Sequence, residues 1–122
     1  MEHSAASIRP FIGAKNFELS CAFYRDWGFI ESELSTDLSV FKLDKLAFYL
    51  QKAYVKDWID NTMIFLEVDN IEKYYNDLMA LNLAGKYEGV RLSAIKTDYW
   101  GSECFLHDPS GILWHIGEFK SK

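Results

Sequence analysis

The sequence predicts an α+β chain built from two βαβββ halves, and three observations predict it. Asn16-Phe17-Glu18 and Asn70-Ile71-Glu72 stand 54 residues apart, and each opens a segment with apolar residues at helical spacing. Each segment follows one apolar run and precedes several more, so the order of elements repeats although the letters hardly do. The last two runs flank Asp108-Pro109-Ser110-Gly111, where Asp bonds the backbone ahead, Pro presets φ and Gly tolerates positive φ.

The first half spans about residues 8–51. Ile8 to Ala14 reads as a strand with Pro10 at an edge or hinge, because proline donates nothing to a ladder. Asn16 caps a helix whose buried stripe is Leu19, Ala22, Phe23 and Trp27, and Gly28 ends it. Phe29 to Ser35, Ser39 to Leu43 and Leu46 to Gln51 are strands, the last two joined at Asp44-Lys45. If Leu43 pairs with Leu46, then Phe41, Leu43, Leu46, Phe48 and Leu50 share an apolar face for the helix, and Val40, Lys42, Ala47, Tyr49 and Gln51 share a mixed one.

Residues 52–61 form a connector containing Trp58, and the second half spans about residues 62–119. Met63 to Val68 is a strand. The helix opened by Asn70 buries Ile71, Tyr74, Tyr75, Leu78 and Leu81 and closes before Gly85. Strands near Val90–Ile95, Glu103–His107 and Ile112–Glu118 complete it. We therefore expect one domain over residues 1–122, with Trp27 and Trp114 in its core.

Composition narrows the function. The chain is 49% hydrophobic and 16% aromatic, which supplies a core and also suits a ring-lined ligand site. A net charge of −5 argues against a nucleic-acid partner and permits a cationic small molecule. No run reaches membrane-span length. Cys21 and Cys104 lack CxxC spacing and read as reduced core thiols, and Met1 to Pro10 has no apolar stretch of the secretory kind, so a cytoplasmic protein is expected.

Two phrases carry a family resemblance. Ser20-Cys21-Ala22-Phe23-Tyr24-Arg25-Asp26-Trp27-Gly28-Phe29 and the stretch from Trp100-Gly101 through Asp108-Pro109-Ser110-Gly111 to His115-Ile116 resemble the vicinal oxygen chelate superfamily of glyoxalases, extradiol dioxygenases and bleomycin-resistance proteins. The bleomycin-resistance branch looks closest. The resemblance implies two curved mixed sheets around a concave cleft, and a homodimer in which a second subunit completes each cleft, sometimes by exchanging the first strand.

In metal-using members four strands each offer one ligand. The family phrases place those positions at Arg9, Tyr49, Met63 and His115. Arg has no lone pair to give, Met prefers soft metals, Tyr ligates only in special iron sites, and one imidazole alone holds no divalent ion. We expect no metal and no other cofactor.

His3 lies in the tail, and His107, beside the Asp-Pro turn, reads as a surface or turn residue bonding the backbone. His115 is either a satisfied polar residue on a half-open strand or a cleft donor or acceptor. Glu67 shares a face with Met63 and Phe65 by alternation, as a strand-end surface carboxylate or as a cleft carboxylate. Trp100, before Gly101, is a lid over the sheet edge or a ligand contact, and in drug-binding relatives a Trp at this place lines the cleft. Trp58, in the connector, is placed overhanging the cleft.

The function expected is capture, without reaction, of a planar or aromatic small molecule, cationic or neutral, with bleomycin-type antibiotics implied by the resemblance. The ligand-binding set is Trp100, Tyr49, His115, Arg9, Met63, Phe65, Glu67 and Trp58, with no catalytic residue. The alternative is a lyase, isomerase or dioxygenase-type enzyme, using a metal or a metal-free acid/base set of Tyr49, His115 and Glu67. A sensor or interaction domain without a small ligand is a third reading.

Overall fold

Both long helices of the computed structural model start on an asparagine, as the repeat predicts. The structure describes residues 1–120. Helix α1 (Phe17–Trp27) is capped by Asn16, whose Oδ1 accepts from the Leu19 amide at 3.1 Å, and α3 (Ile71–Leu81) by Asn70, which accepts from Lys73 at 3.1 Å. Each satisfies an amide that has no partner within the helix. Gly28 ends α1 at φ 116°, a left-handed conformation that a side chain would strain.

The strands are β1 (Phe11–Gly13), β2 (Ile30–Ser35), β3 (Leu38–Leu43), β4 (Leu46–Gln51), β5 (Met63–Glu67), β6 (Arg91–Leu92), β7 (Lys96–Thr97), β8 (Gly101–His107) and β9 (Leu113–Phe119). Two short helices, α2 (Lys56–Asp60) and α4 (Leu83–Lys86), complete the set. The first sheet runs β1-β4-β3-β2 and the second β5-β9-β8-β6, with β7 also on β8. In each half the strand before the helix pairs in parallel with the last strand, and the other pairs are antiparallel. Leu43 does pair with Leu46. The fold is thus α+β with two mixed sheets, and none of its described helices is long and apolar enough to cross a membrane.

Several boundaries differ from the sequence reading. The first strand is only Phe11–Gly13, because Pro10 has no amide to pair. The connector holds α2, seated by Ile59, which is 2% exposed. Helix α3 ends at Asn82, which takes the left-handed cap itself (φ 53°), and Gly85 falls inside α4. The Val90–Ile95 strand is two fragments, Arg91–Leu92 and Lys96–Thr97. Leu19 is largely exposed, and α1 instead buries Ser20, Cys21, Phe23, Tyr24 and Trp27. Leu46 belongs by register to the helix face but is exposed, at a groove where β4 approaches β5.

Helix α1 packs against both sheets. The Tyr24 ring meets Phe48 at 4.9 Å and Phe41 at 5.6 Å from the first sheet, and Trp114 at 5.9 Å from the second. Trp27 packs edge-on to Trp114 at 4.9 Å, and its Nε1–H donates to the Tyr74 hydroxyl of α3 at 3.0 Å. Trp27 and Trp114 are core residues, as expected. Within this core the Tyr24 hydroxyl donates to Asp108 Oδ2 at 2.6 Å and accepts from Trp114 Nε1–H at 3.0 Å. Asp108 Oδ1 takes the amides of Ser110, Gly111 and Ile112, each at 2.9 Å.

Tyr24→Phe leaves Asp108 Oδ2 and Trp114 Nε1 buried without this partner, and the expected loss is about 1–3 kcal/mol in denaturant unfolding. Burial pushes the Tyr24 hydroxyl well above its ordinary value, and Asp108 adds to the effect. In the unfolded chain it ionises near pH ~10. Tyr24 therefore contributes stability that is complete below that pH and is lost as pH rises through the folded-state value. The variant should be less stable at neutral pH and lose less on going to alkaline pH. Equal stability at neutral pH would show that the network contributes nothing.

Candidate functional site

Because side chains alternate along a strand, whatever the second sheet does not bury against the helices it presents on its outer face. Trp114, Ile116, Cys104 and Leu106 point inward and are buried. The outer residues fall into rows set by the register. The first row is Arg91, His107, Leu113 and Met63, and in the next Phe105, His115 and Phe65 are paired across the sheet. The third is Lys96, Glu103, Gly117 and Glu67, and the last is Gly101 and Phe119, with Trp100 just before it.

Aromatic rings occupy one end of this face. Phe65 stacks on Phe119 at 5.5 Å and on His115 at 6.4 Å. Trp100 leans on Phe119 at 5.4 Å and on Phe65 at 6.2 Å. Phe65 is 45% and Phe119 51% exposed, so the cluster leaves ring surface uncovered. Gly117 makes this possible: a Cβ there would stand 2.7 Å from Phe65 Cζ, so the ring lies across the bare backbone. Gly101 also serves a close approach, but the group that approaches is the Glu118 carbonyl of β9, 2.1 Å from where a Cβ would be.

His115 stands in the middle. Its Nδ1 is 3.1 Å from Glu103 Oε1, so Nδ1 carries the proton and the carboxylate accepts it. Its Nε2 is buried with no hydrogen-bond partner. Phe105 meets the imidazole edge-on at 5.0 Å.

On the first sheet the outer face carries Arg9, Phe11 and Tyr49. Phe11 stacks on Tyr49 at 4.6 Å, and the Arg9 guanidinium lies 5.9 Å from the Tyr49 ring centroid with Nη1–H donating to the Tyr49 hydroxyl at 3.4 Å. Arg9 Nε is buried without a partner.

The structure thus gathers Met63, Phe65, Glu67, Trp100 and His115 on one sheet face, and Arg9 with Tyr49 on the other sheet. Trp58 is 68% exposed on α2, and its ring pairs with no other aromatic ring among the described residues. Arg9, Tyr49, Met63 and His115 do not suit the divalent metal that the superfamily enzymes use. Arg9 is a cation already engaged with Tyr49, and Met63 is a largely exposed thioether. Among the described residues no three His, Cys, Asp or Glu side chains converge. Nor are the thiols nucleophiles: burial pushes Cys21 up to about 12 and Cys104 up to about 11.

Sequence reasoning missed four outer-face residues: Glu103, Phe105, Phe119 and His107. Alternation from His115 through the Asp108 turn would have placed Phe105 and Glu103 opposite it. His107 is a correction: it is half-buried on the outer face opposite Arg91, and it makes no hydrogen bond to the backbone. Asp108 does the turn-bonding alone.

No protein-family model matches the chain, and no curated protein sequence matches it. Solved structures do. A bleomycin-binding protein from bleomycin-producing Streptomyces verticillus, complexed with copper(II)-bleomycin, superposes with a TM-score of 0.80 at 17% identity, covering 98% of this chain and 100% of that one. A bleomycin resistance determinant encoded on the transposon Tn5 gives 0.81 at 17% identity, covering 96% and 100%. Lactoylglutathione lyase from Agrobacterium tumefaciens gives 0.71 at 17%, covering 95% and 96%. The chain therefore has the fold of the bleomycin-binding and glyoxalase-like proteins of the vicinal oxygen chelate superfamily, as the two sequence phrases imply.

Proposed function

We propose that this protein captures a planar or aromatic small molecule on the outer face of its second sheet, without a metal and without transforming it. The observation that carries the reading is the uncovered ring cluster of Phe65, Trp100 and Phe119 beside a donor set that does not suit a divalent ion. Exposed aromatic surface of this kind costs solvation unless a partner covers it. Bleomycin-type antibiotics are the ligand class suggested by the neighbouring structures, and Glu67 on the same face suits a cationic group. The single-domain reading and a cytoplasmic location belong to the same proposal, the latter supported by two buried free thiols.

One observation favours an enzyme instead. His115, oriented by Glu103 and with Nε2 unpartnered, has the arrangement of a general base. Chemical turnover of a bound compound, abolished in His115→Ala, would establish that reading.

The capture reading is tested by calorimetric titration of a bleomycin-type drug. Stacking is worth about 0.5–1.5 kcal/mol beyond area burial, so Trp100→Ala should weaken binding up to about tenfold. Its melting temperature should fall far less than that of Trp114→Ala, which empties a core position at about 3–5 kcal/mol. Wild-type affinity in Trp100→Ala would refute the placement.

Elemental analysis of protein purified without chelator should find well under one equivalent of Zn, Ni, Mn or Fe per chain. A stoichiometric metal lost in His115→Ala would overturn the metal-free reading.

We also propose a homodimer, because both sheets leave aromatic residues of their outer faces uncovered: Phe11 on the first, Phe65 and Phe119 on the second. A second copy would close each face into a cleft. Light scattering at micromolar concentration should give twice the chain mass of 14.2 kDa, and a monodisperse monomer would exclude the dimer.

A further inference from the structure

The end of the second sheet's outer face remote from Trp100 has a different chemistry. A concavity of about 450 Å³ lies there, lined by Arg91, Leu92, Ser93, Phe105, His107 and Leu113. Arg91 and His107 are directly opposed across the β6–β8 pair, a position that brings side chains within reach of one another. Among the described residues Arg91 has no carboxylate within ion-pair distance, and neither ring nitrogen of His107 has a hydrogen-bond partner.

The nearby acids are already engaged. Glu103 is bonded to His115, and Asp108, next to His107 in the chain, is fully buried with both oxygens taken. Phe105 and Leu113 supply apolar wall beside the guanidinium and the imidazole.

We propose that this concavity is an anion subsite, in which Arg91 and His107 hold the carboxylate or phosphate of a ligand whose apolar body lies on Phe105 and Leu113. The inference rests on reading the same sheet face as the ligand surface. It adds that the ligand is anionic at one end. Arg91 offers the paired N–H donors that match either oxyanion, and His107 adds one N–H when neutral and two when charged. Burial, and next the Arg91 charge, hold the His107 imidazole below its ordinary value. The net charge of −5 opposes an anion only at long range, and physiological salt screens that field beyond about 8 Å, so local geometry decides.

The test uses three ring-matched probes: 2-naphthoate, 2-naphthyl phosphate and the neutral 2-naphthamide. Each is titrated calorimetrically into wild type, Arg91→Gln, His107→Gln and Trp100→Ala, with thermal melts to verify folding. In wild type at least one anion should bind about tenfold more tightly than the amide, as one charge-assisted contact allows. Arg91→Gln should abolish that difference and leave amide affinity unchanged, and His107→Gln should reduce it. The tighter of the two anions identifies the group the subsite takes.

Equal affinity for all three probes in wild type, weakened by Trp100→Ala, would overturn the anion subsite and leave the aromatic reading standing. Anion preference that survives Arg91→Gln would show Arg91 to be a solvated surface cation and also overturn it. Arg91-dependent preference with no effect of Trp100→Ala would support the subsite and refute the stacking role. Failure of every probe to bind would refute both.

Discussion

The fold turns on one buried carboxylate. Asp108 is wholly inaccessible, and every hydrogen bond to it is donated, one by the Tyr24 hydroxyl and three by the backbone of its own turn. Burial pushes its carboxyl above the usual range, while these donors pull the other way. A buried carboxylate is tolerable only when so many donors converge. The turn that joins β8 to β9 is therefore fixed to the middle of α1, and through Trp114 Nε1 the same hydroxyl fixes β9. Register across the second sheet follows from that anchorage, and so do the rows of outer-face side chains.

The second consequence is a division between faces. Helix α1 takes the inner faces of both sheets, with Tyr24 touching Phe41 and Phe48 on one side and Trp114 on the other. Helix α3 is drawn into the same layer by the Trp27–Tyr74 bond, and its first amide is received by Glu118 of β9 at 2.8 Å. With the helices committed to the inner faces, the outer faces have only side chains of their own to cover them. Rings fill part of that need, and Phe65 reaches across Gly117 because no Cβ obstructs it. The remainder, with Phe11, Phe65 and Phe119, stays exposed.

That outer face is graded along the strands. Rings gather where Gly101 faces Phe119, an imidazole–carboxylate pair holds the middle, and a guanidinium stands opposite an imidazole where Arg91 faces His107. On the proposed capture reading, such a gradient would orient a ligand as well as retain it, because only one direction of lying across the strands matches each group to its complement.

Much of the architecture was legible in the sequence, because it depends on local signals. Two Asn caps mark the helices, Gly28 stops the first, and alternation sorts β3, β4, β5 and β9 into faces from composition alone. The inward place of Trp27 and Trp114, and the shared face of Met63, Phe65 and Glu67, follow from period alone. Tertiary structure decided what period cannot. Asp108 reads as an ordinary turn residue until α1 brings Tyr24 to it from 84 positions away. Glu103 meets His115, and Arg91 faces His107, only because strand pairing sets the register, and a shift of one residue would send each to the other face. Local sequence determined which elements form and which faces they bury, since those are properties of adjacent residues. Long-range packing alone decided which charges and rings meet, since that depends on pairings distant in sequence.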